Sequence, residues 1–317
     1  MLKHIVVFLL SLILLAAFSD LRAEPPPFIC AGHVPQERED RSAKTIAGGW
    51  VRVPTEGTVN VLTVFAGFSD ERWEGDTAPS YAEDLFDPDL PGSFSHFYDA
   101  MSFGVLKVRG VALPKRYFSD HPSSYYQADS DTSRGKFGAF VLDILRKVDA
   151  DPSVDFGQFD NDGPDGLPNS GDDDGSVDFL FINLRSAPKN FLFGPAIGFA
   201  TLGLESEYIT QSKAAQASSP IRISRGSVQE VQGFSYAVGV MAHEFGHGLG
   251  LPDLYNTSHL EFPDQPPREE SAGIGRWGLM GHGALGWNGA DGPVPFCAWS
   301  RERLGWLSIE KGNLIEV

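Results

Sequence analysis

The spacing of hydrophobic and polar positions predicts alternating strands and helices as far as residue 250. Runs and alternations of apolar residues predict strands at 59–68, 105–113, 178–184 and 221–224, the last as an edge strand. Apolar residues three and four positions apart predict helices at 94–103, 137–148 and 235–250, with Ser235 as the N-cap of the third. Beyond Gly250, glycine, proline and tryptophan are frequent and periodicity is weak, so we expect mainly loops there.

The N-terminus carries the longest apolar run of the chain. Residues 5–18 are almost entirely apolar and follow a short basic start, which is the pattern of a secretory signal peptide; a membrane-spanning helix needs roughly 20 residues. We therefore expect a signal peptide at 1–23, secretion, and no stable membrane insertion after signal removal, with an uncleaved anchor as the alternative. Residues 24–44, rich in proline and charge, are expected to be a linker or short pro-segment before one domain at 45–317.

Composition excludes several classes of function. The chain has 42 acidic residues against 25 basic ones and a formal net charge of −17, whereas a protein that binds nucleic acid or an anionic membrane presents a basic surface. Neither partner is therefore expected. Hydrophobic residues make up 42% of the chain, which is enough for a substantial core. No pattern in the sequence indicates an oligomeric state.

The chain has 2 cysteines, too few for a disulfide-rich scaffold or an all-thiolate zinc site. Because secretion implies an oxidising compartment, Cys30 and Cys297, which lie near the two ends of the mature chain, are candidates for one disulfide. Two alternatives concern Cys30 alone. One is a lipid-attachment site, which the preceding Pro-Phe-Ile disfavours. The other is a ligand that occupies a metal before activation.

One motif on the helix predicted at 235–250 carries the candidate chemistry. His243, Glu244 and His247 form an H-E-x-x-H sequence. Histidines at positions i and i+4 share one helical face and lie close enough to bind one Zn²⁺. The carboxylate of Glu244 stands beside them, where it can accept a proton from a water that the metal polarises. The pattern therefore indicates a zinc hydrolase.

The following residues extend this motif to H-E-x-x-H-x-x-G-x-x-D. Gly250 allows a sharp turn out of the helix that brings Asp253 back as a third ligand, with His259 and His282 as the alternatives. Two imidazoles, one carboxylate and one open position are typical of a catalytic rather than a structural zinc site. The competing interpretation is a pair of surface histidines flanked by chance acids, which the apolar residues around the motif disfavour.

These residues resemble the metzincins, zinc peptidases whose extended motif ends in the third ligand. The similarity is greatest to the immune inhibitor A group of secreted bacterial metallopeptidases. It rests on 243–255 (HEFGHGLGLPDLY), 277–281 (WGLMG), 298–300 (AWS) and 304–306 (LGW). Looser similarity at 98–113 and 154–184 extends the resemblance over about 45–307.

The resemblance implies an α+β, metzincin-like zincin catalytic domain with a twisted mixed sheet, an active-site helix and a loop-rich C-terminal lobe. The upper lobe would end near residue 250 and the lower lobe would comprise 251–317. The implied site residues are the zinc ligands His243, His247 and Asp253, the general base Glu244, and Met280 in a turn beneath the metal. Tyr255 and His282 are alternatives for stabilising the oxyanion of the reaction.

A second candidate metal site lies in the acidic segment 155–178, which contains no lysine or arginine. Carboxylates this dense repel one another, and Ca²⁺ binds six to eight oxygen ligands. The segment approximates D-x-D-x-D-G but has an inserted residue and lacks the final glutamate of an EF-hand; the resemblance also implies calcium nearby. We therefore expect Ca²⁺ ligands at Asp160, Asp162, Asp165, Asp172 and Asp174. A solvated acidic loop is the alternative.

The predicted function is a secreted zinc-dependent endopeptidase that cleaves protein or peptide substrates, with Glu244 as general base. The substrate would extend along an edge strand, for which 221–224 is the candidate. One alternative is a secreted, calcium-stabilised binding or adhesion module with an inactive metal site, which the presence of Glu244 disfavours. The other is a zinc hydrolase that acts on a non-peptide substrate.

Overall fold

The computed structural model describes residue 30 and residues 52–130, 135–188, 190–192, 196–214, 219–257 and 273–315. The predicted signal peptide, the predicted linker apart from Cys30, and His259 lie outside the described residues. Strands β1 to β7 of the described part are Gly57–Gly67, Leu106–Phe118, Phe179–Leu184, Gly198–Phe199, Tyr208–Lys213, Pro220–Ile223 and Gly226–Glu230. Helices α1 to α5 are Phe94–Ser102, Ser123–Tyr126, Phe137–Asp149, Phe234–Gly248 and Ala298–Arg303.

Five strands form one mixed sheet in the order β2-β1-β3-β7-β4. Strands β2, β1, β3 and β7 run parallel, and β4 is antiparallel to β7 at the edge. The predicted mixed sheet is therefore confirmed, and most of its strands are parallel. Strand β6, which matches the edge strand predicted at 221–224, pairs with β5 in a separate two-stranded sheet. A parallel bridge between Arg222 and Ser176 links it to the chain just before β3.

Helices pack on both faces of the main sheet because its central strands β1 and β3 are apolar on both sides. Successive side chains of β1 point to opposite faces. Val59 and Val61 enter a core shared with α1 and α4, whereas Leu62 and Val64 enter a second core shared with α3. Strand β3 is buried along its whole length. The sheet is thus the middle layer between two hydrophobic cores.

The predicted helices lie within two residues of the observed ones. The largest correction is at the start of α4, where the predicted cap Ser235 lies inside the first turn. The N-cap is Gly233, whose φ of 110° suits a glycine, and no side chain of the described residues caps the helix. None of the helices in the described residues has the length and apolarity that a membrane span requires.

The chain beyond α4 is mainly loop in its described part, which contains the 3₁₀ turn Gly275–Trp277 and the short α5. Large side chains attach it to the rest of the domain. Phe296 and Trp306 enter the core that also contains the apolar face of α4. The indole Nε1 of Trp306 donates to the carbonyl of Thr55 at 2.8 Å. This loop segment is therefore held against the motif helix by buried aromatic rings.

Candidate metal centre

Helix α4 carries three ionisable side chains into the interior. His243, Glu244 and His247 have relative exposures of 0%, 0% and 4%. The two imidazole centroids are 4.9 Å apart, in keeping with neighbours one helical turn apart. The helix can hold them there because its apolar residues pack into the core between the sheet and the C-terminal segment. Ionisable groups at this depth require close partners.

The turn after α4 brings Asp253 to both histidines. Gly250 has a φ of 95°, and its N–H donates to the carbonyl of His247 at 2.8 Å, so the chain leaves the helix sharply. Oδ1 of Asp253 lies 3.1 Å from Nε2 of His243 and 3.4 Å from Nε2 of His247. His282, the alternative within the described residues, is outside this group of converging ligand atoms.

The outer ring nitrogens determine how the two imidazoles face. Nδ1 of His243 lies 2.8 Å from the carbonyl oxygen of Leu279, and Nδ1 of His247 lies 2.8 Å from that of Leu251. A carbonyl oxygen can only accept, so each Nδ1 carries the proton of the bond. In the neutral ring, Nε2 is then free of hydrogen and turns its lone pair toward Asp253, which is the orientation of a metal-binding histidine.

Two buried carboxylate oxygens of this cluster, Oε1 of Glu244 and Oδ2 of Asp253, have no hydrogen-bond partner among the described residues. A buried oxygen without a donor is costly, and a bound cation or its water would relieve that cost. Two imidazole nitrogens and one carboxylate oxygen are ligands that Zn²⁺ takes in catalytic sites. The residues present therefore fit a zinc ion.

We call His243, Glu244, His247 and Asp253 the motif cluster. The charges of these four side chains affect the pKa values of both carboxyl groups. Burial raises the pKa of Glu244 above the usual carboxyl range, against the opposing effect of the two imidazoles. Burial also acts to raise the pKa of Asp253, but His247 and His243 outweigh it and hold that pKa below its usual value. Asp253 thus stays ionised, whereas Glu244 is the carboxylate that takes up a proton more readily.

Met280 packs directly beneath the motif. Its side chain is buried, and a Cβ built on Gly246 would lie only 2.6 Å from its Sδ. Its carbonyl oxygen accepts from the N–H of Leu254 at 2.7 Å. The preceding carbonyl, that of Leu279, orients His243. The expected turn beneath the helix therefore supports both the packing and the orientation of the cluster.

Cys30, which we expected to pair with Cys297, lies in the motif cluster instead. Its Sγ is 3.2 Å from Oε2 of Glu244 and 3.5 Å from Nε2 of His247. Sγ of Cys297 is 3.3 Å from Oγ of Ser300 at the start of α5. No disulfide joins the two cysteines, so the predicted pairing is wrong for this structure. Each thiol lies beside a different set of side chains.

The strand nearest the motif was missed by sequence reasoning. Strand β4 consists only of Gly198 and Phe199, which is too short to show a pattern. A Cβ built on Gly198 would lie 2.0 Å from Oε1 of Glu244, so the backbone of β4 passes against that carboxylate in a way that only glycine permits. Strand β4, rather than β6, is therefore the edge that borders the cluster.

In the acidic segment, carboxylate oxygens of Asp160, Asp162 and Asp173 lie within 4.8 Å of one another. Asp160 is buried, and its Oδ1 has no hydrogen-bond partner among the described residues. Burial, and then the charges of Asp173, Asp174 and Asp162, raise the pKa of Asp160 to about 7. Asp174 is not one of the three. It pairs with Arg225, which also lies 3.3 Å from Oδ2 of Asp162.

Two other predicted calcium ligands are not members of this cluster. Oδ1 of Asp165 accepts from the N–H of Leu167 at 2.7 Å, and Oδ2 of Asp172 accepts from the N–H of Asp165 at 2.9 Å. Both side chains therefore stabilise turns of the exposed loop. Asp173 was missed because it is the middle member of three consecutive aspartates, and nothing in their spacing distinguishes them.

Comparison with known proteins gives a family match. A family model described as immune inhibitor A peptidase M6, catalytic domain, matches residues 80–313, well over half of the chain. Pre-pro-metalloprotease PrtV of Vibrio cholerae serotype O1 (strain M66-2) is 24% identical over 279 residues, covering 79% of this chain and 27% of that protein. Immune inhibitor A of Bacillus thuringiensis subsp. alesti is 28% identical over 186 residues, covering 53% and 26%. The chain spans about a quarter of the length of these curated relatives.

Proposed function

This chain belongs to the immune inhibitor A peptidase M6 family, and on that premise we propose that it is a secreted, zinc-dependent endopeptidase of metzincin-like fold that cleaves protein substrates. One observation carries the proposal. Nε2 of His243, Nε2 of His247 and Oδ1 of Asp253 converge beside the carboxylate of Glu244. Three such ligands next to a buried carboxylate are the composition of a catalytic zinc site with one position left for water or substrate.

Bound zinc would supply a Lewis acid that polarises both a water and the carbonyl of the scissile peptide. The role of Glu244 is to accept the proton of the attacking water. Because burial raises the pKa of Glu244, the side chain can hold this proton and then donate it to the departing amine. The carbonyls of Leu279 and Leu251 hold His243 and His247 in the ligating orientation throughout.

Strand β4 is the proposed docking edge for the substrate. An edge strand has one row of backbone groups to which an extended peptide can add as a further strand. One side of β4 pairs with β7, and Gly198 lies against Glu244. A peptide on the other side of β4 would therefore run past the base. Tyr255, which is buried beside the cluster, is favoured over His282 for stabilising the oxyanion.

Secretion is part of the proposal and rests on the signal-peptide pattern at 1–23. One of the relatives is described as a pre-pro-metalloprotease, which supports an exported precursor for this chain as well. The binding-module alternative gains no support from the site. It offers no reason for a buried Glu244 whose Oε1 has no hydrogen-bond partner among the described residues.

We also propose a structural Ca²⁺ bound by Asp160, Asp162 and Asp173. The support is their convergence together with the buried Oδ1 of Asp160, which has no donor among the described residues. Oxygen-only ligands of this kind suit a hard cation such as Ca²⁺ rather than Zn²⁺. The cation would compensate the mutual repulsion that raises the pKa of Asp160.

The test of the catalytic proposal compares the wild type with Glu244→Gln, which keeps the size of the side chain. Casein hydrolysis is measured on the protein as secreted and after limited proteolysis, and zinc content is determined on each sample. We expect roughly one zinc per chain in both proteins, and hydrolysis by the wild type alone. Zinc in both without casein cleavage by either would favour the binding module, and cleavage of esters or sugars alone would favour the non-peptide hydrolase. Absence of zinc from both would refute the metal site.

A further inference from the structure

Cys30 is fully buried beside the motif although in the sequence it precedes the predicted start of the domain at residue 45. Its Sγ lies 3.2 Å from Oε2 of Glu244 and 3.5 Å from Nε2 of His247. The ligand atoms of Cys30, His243, His247 and Asp253 all lie within 4.8 Å of one another. One sulfur, two nitrogens and one carboxylate oxygen are thus gathered in a single small space.

Four protein ligands of this kind are what a closed zinc site contains. A catalytic site keeps its fourth position for water or substrate, whereas a structural site fills that position with protein. The cysteine thiolate is among the preferred ligands of zinc. With Cys30 in place, the donor set is therefore complete without water, and the chemistry proposed for Glu244 has no room to start.

The backbone at Cys30 lies along β4, the strand edge proposed to bind the substrate. Cys30 forms a parallel bridge with Gly198, which places its chain beside β4. Its N–H donates to Oη of Tyr255 at 3.0 Å. A substrate added to β4 would need the same edge. The position of this one residue therefore excludes a substrate both from the metal and from the neighbouring strand.

We propose that Cys30 is the fourth ligand of the metal and that it inhibits the enzyme until the chain is cut between Cys30 and Arg52. This inference rests on the proposed function of the site. Ligation breaks the S–H bond and forms a bond from sulfur to the metal. The proton passes to Oε2 of Glu244, which accepts the thiol hydrogen bond in the structure.

The sequence between these two residues suits such a cut. It contains basic residues at positions 38, 41 and 44, among further charged and polar ones. A protease that cleaves after lysine or arginine would therefore separate Cys30 from the domain. No peptide bond after Arg52 needs to be cut for the fourth ligand position of the metal to open.

Cobalt substitution tests the ligation without relying on activity. The full secreted chain is depleted of zinc and loaded with Co²⁺, because a thiolate bound to cobalt gives a charge-transfer band in the near ultraviolet. We expect this band in the wild type and in Cys297→Ala, and its complete loss in Cys30→Ala and Cys30→Ser. Cys297 is the matched control because its Sγ contacts Ser300, outside the cluster.

The outcomes separate this inference from the proposed function. Wild-type protein that binds one cobalt without the band would overturn Cys30 as a ligand and leave the zinc site intact. Wild-type protein that binds no cobalt would overturn the metal site and this inference with it. Thermal unfolding of Cys30→Ser, the variant closest in size to the wild type, verifies that loss of the band does not follow from loss of the fold.

Casein hydrolysis then tests the inhibition. If the closed form accounts for at least about nine-tenths of the uncut wild type, uncut Cys30→Ala should be about tenfold or more faster. Cutting the wild type should abolish the cobalt band and bring its activity to that of the variant. Equal activity of uncut wild type and uncut Cys30→Ala would contradict the inhibitory role. A cobalt band without hydrolysis by any cut or uncut form would refute the peptidase, while it would support Cys30 as a ligand.

Discussion

The motif cluster on α4 and the acidic loop both gather carboxylates for which we propose a cation, but their members are positioned by different physics. His243 and His247 are one turn apart on a helix, so the 3.6-residue repeat fixes their relation before any tertiary contact forms. Asp160, Asp162 and Asp173 are brought together by an irregular segment without a repeat. A local regular element therefore predicts individual ligands, whereas a loop predicts only that acids will be numerous.

The two regions also differ in how their charges are compensated. Asp253 is buried, but the neighbouring imidazoles hold its pKa below the usual range. Asp160 is buried too, yet burial and neighbouring aspartates raise its pKa to about 7. Arg225 compensates Asp162 and Asp174 at the margin of the group. The motif cluster thus contains its own counter-charges, and the acidic cluster depends more on a cation.

Replacement of one histidine ligand of the motif cluster should have the largest effect on activity. We expect His247→Ala to lose its zinc and to hydrolyse casein at below about one-thousandth of the wild-type rate, a loss of about 4 kcal/mol in transition-state stabilisation. His282→Ala, the matched histidine outside the cluster, should keep its zinc. Zinc content and casein hydrolysis are measured on both variants after limited proteolysis. Equal zinc loss in both would show that the cluster membership is misassigned.

A methyl group at the strand edge should have the next largest effect. In Gly198→Ala the new Cβ would start 2.0 Å from Oε1 of Glu244, so the base or the strand must move. A shift of about 1 Å in a catalytic group costs on the order of 100-fold in rate. We expect such a loss in kcat, with zinc content retained because the ligands lie elsewhere. Wild-type kcat in this variant would contradict the close approach of β4 to the base.

A matched pair of aspartates tests the acidic loop. Calcium should raise the midpoint of thermal unfolding of the calcium-depleted wild type by about 2 °C or more. The same rise is expected in Asp165→Asn, whose carboxylate only stabilises a turn, and no rise is expected in Asp160→Asn. The midpoints are measured with and without calcium. A calcium response in Asp160→Asn as large as that of the wild type would remove Asp160 from the site.

The pH dependence of the calcium-free protein should show the smallest effect. The pKa of Asp160 is raised from 3.8 to about 7, so between these pH values the folded state retains a proton that the unfolded state has lost. The free energy of unfolding should therefore fall as the pH rises through this window. Asp160→Asn should reduce this slope without removing it, because burial raises the pKa of Asp178 to about 8. Urea unfolding with a chelator present, at several pH values, measures this slope for the wild type and for Asp160→Asn. Identical slopes in the two proteins would contradict the raised pKa of Asp160.

Hydrophobic periodicity predicted the three longer helices and the longer strands β1, β2 and β3. It missed the short helices α2 and α5, and it failed where strands are short or polar. Strand β7, Gly226–Glu230, has no apolar alternation, yet it lies inside the sheet between β3 and β4. Its Gln229 is buried because the side-chain amide donates to Oδ1 of Asn183 on β3. A polar strand of this kind can be central only when a neighbouring strand supplies the partner, and a single segment does not show that partner.

The sequence by itself determined the parts of the site whose geometry is local. The i and i+4 spacing of His243 and His247, and the turn at Gly250 that returns Asp253, depend on helical repeat and glycine conformation alone. Only the tertiary structure decided that Cys30 joins this cluster, across 214 positions from Glu244, and that β4 rather than β6 borders it. Contacts at such separation depend on which strands pair and which faces are buried, and these choices are made by the whole core rather than by the residues that meet.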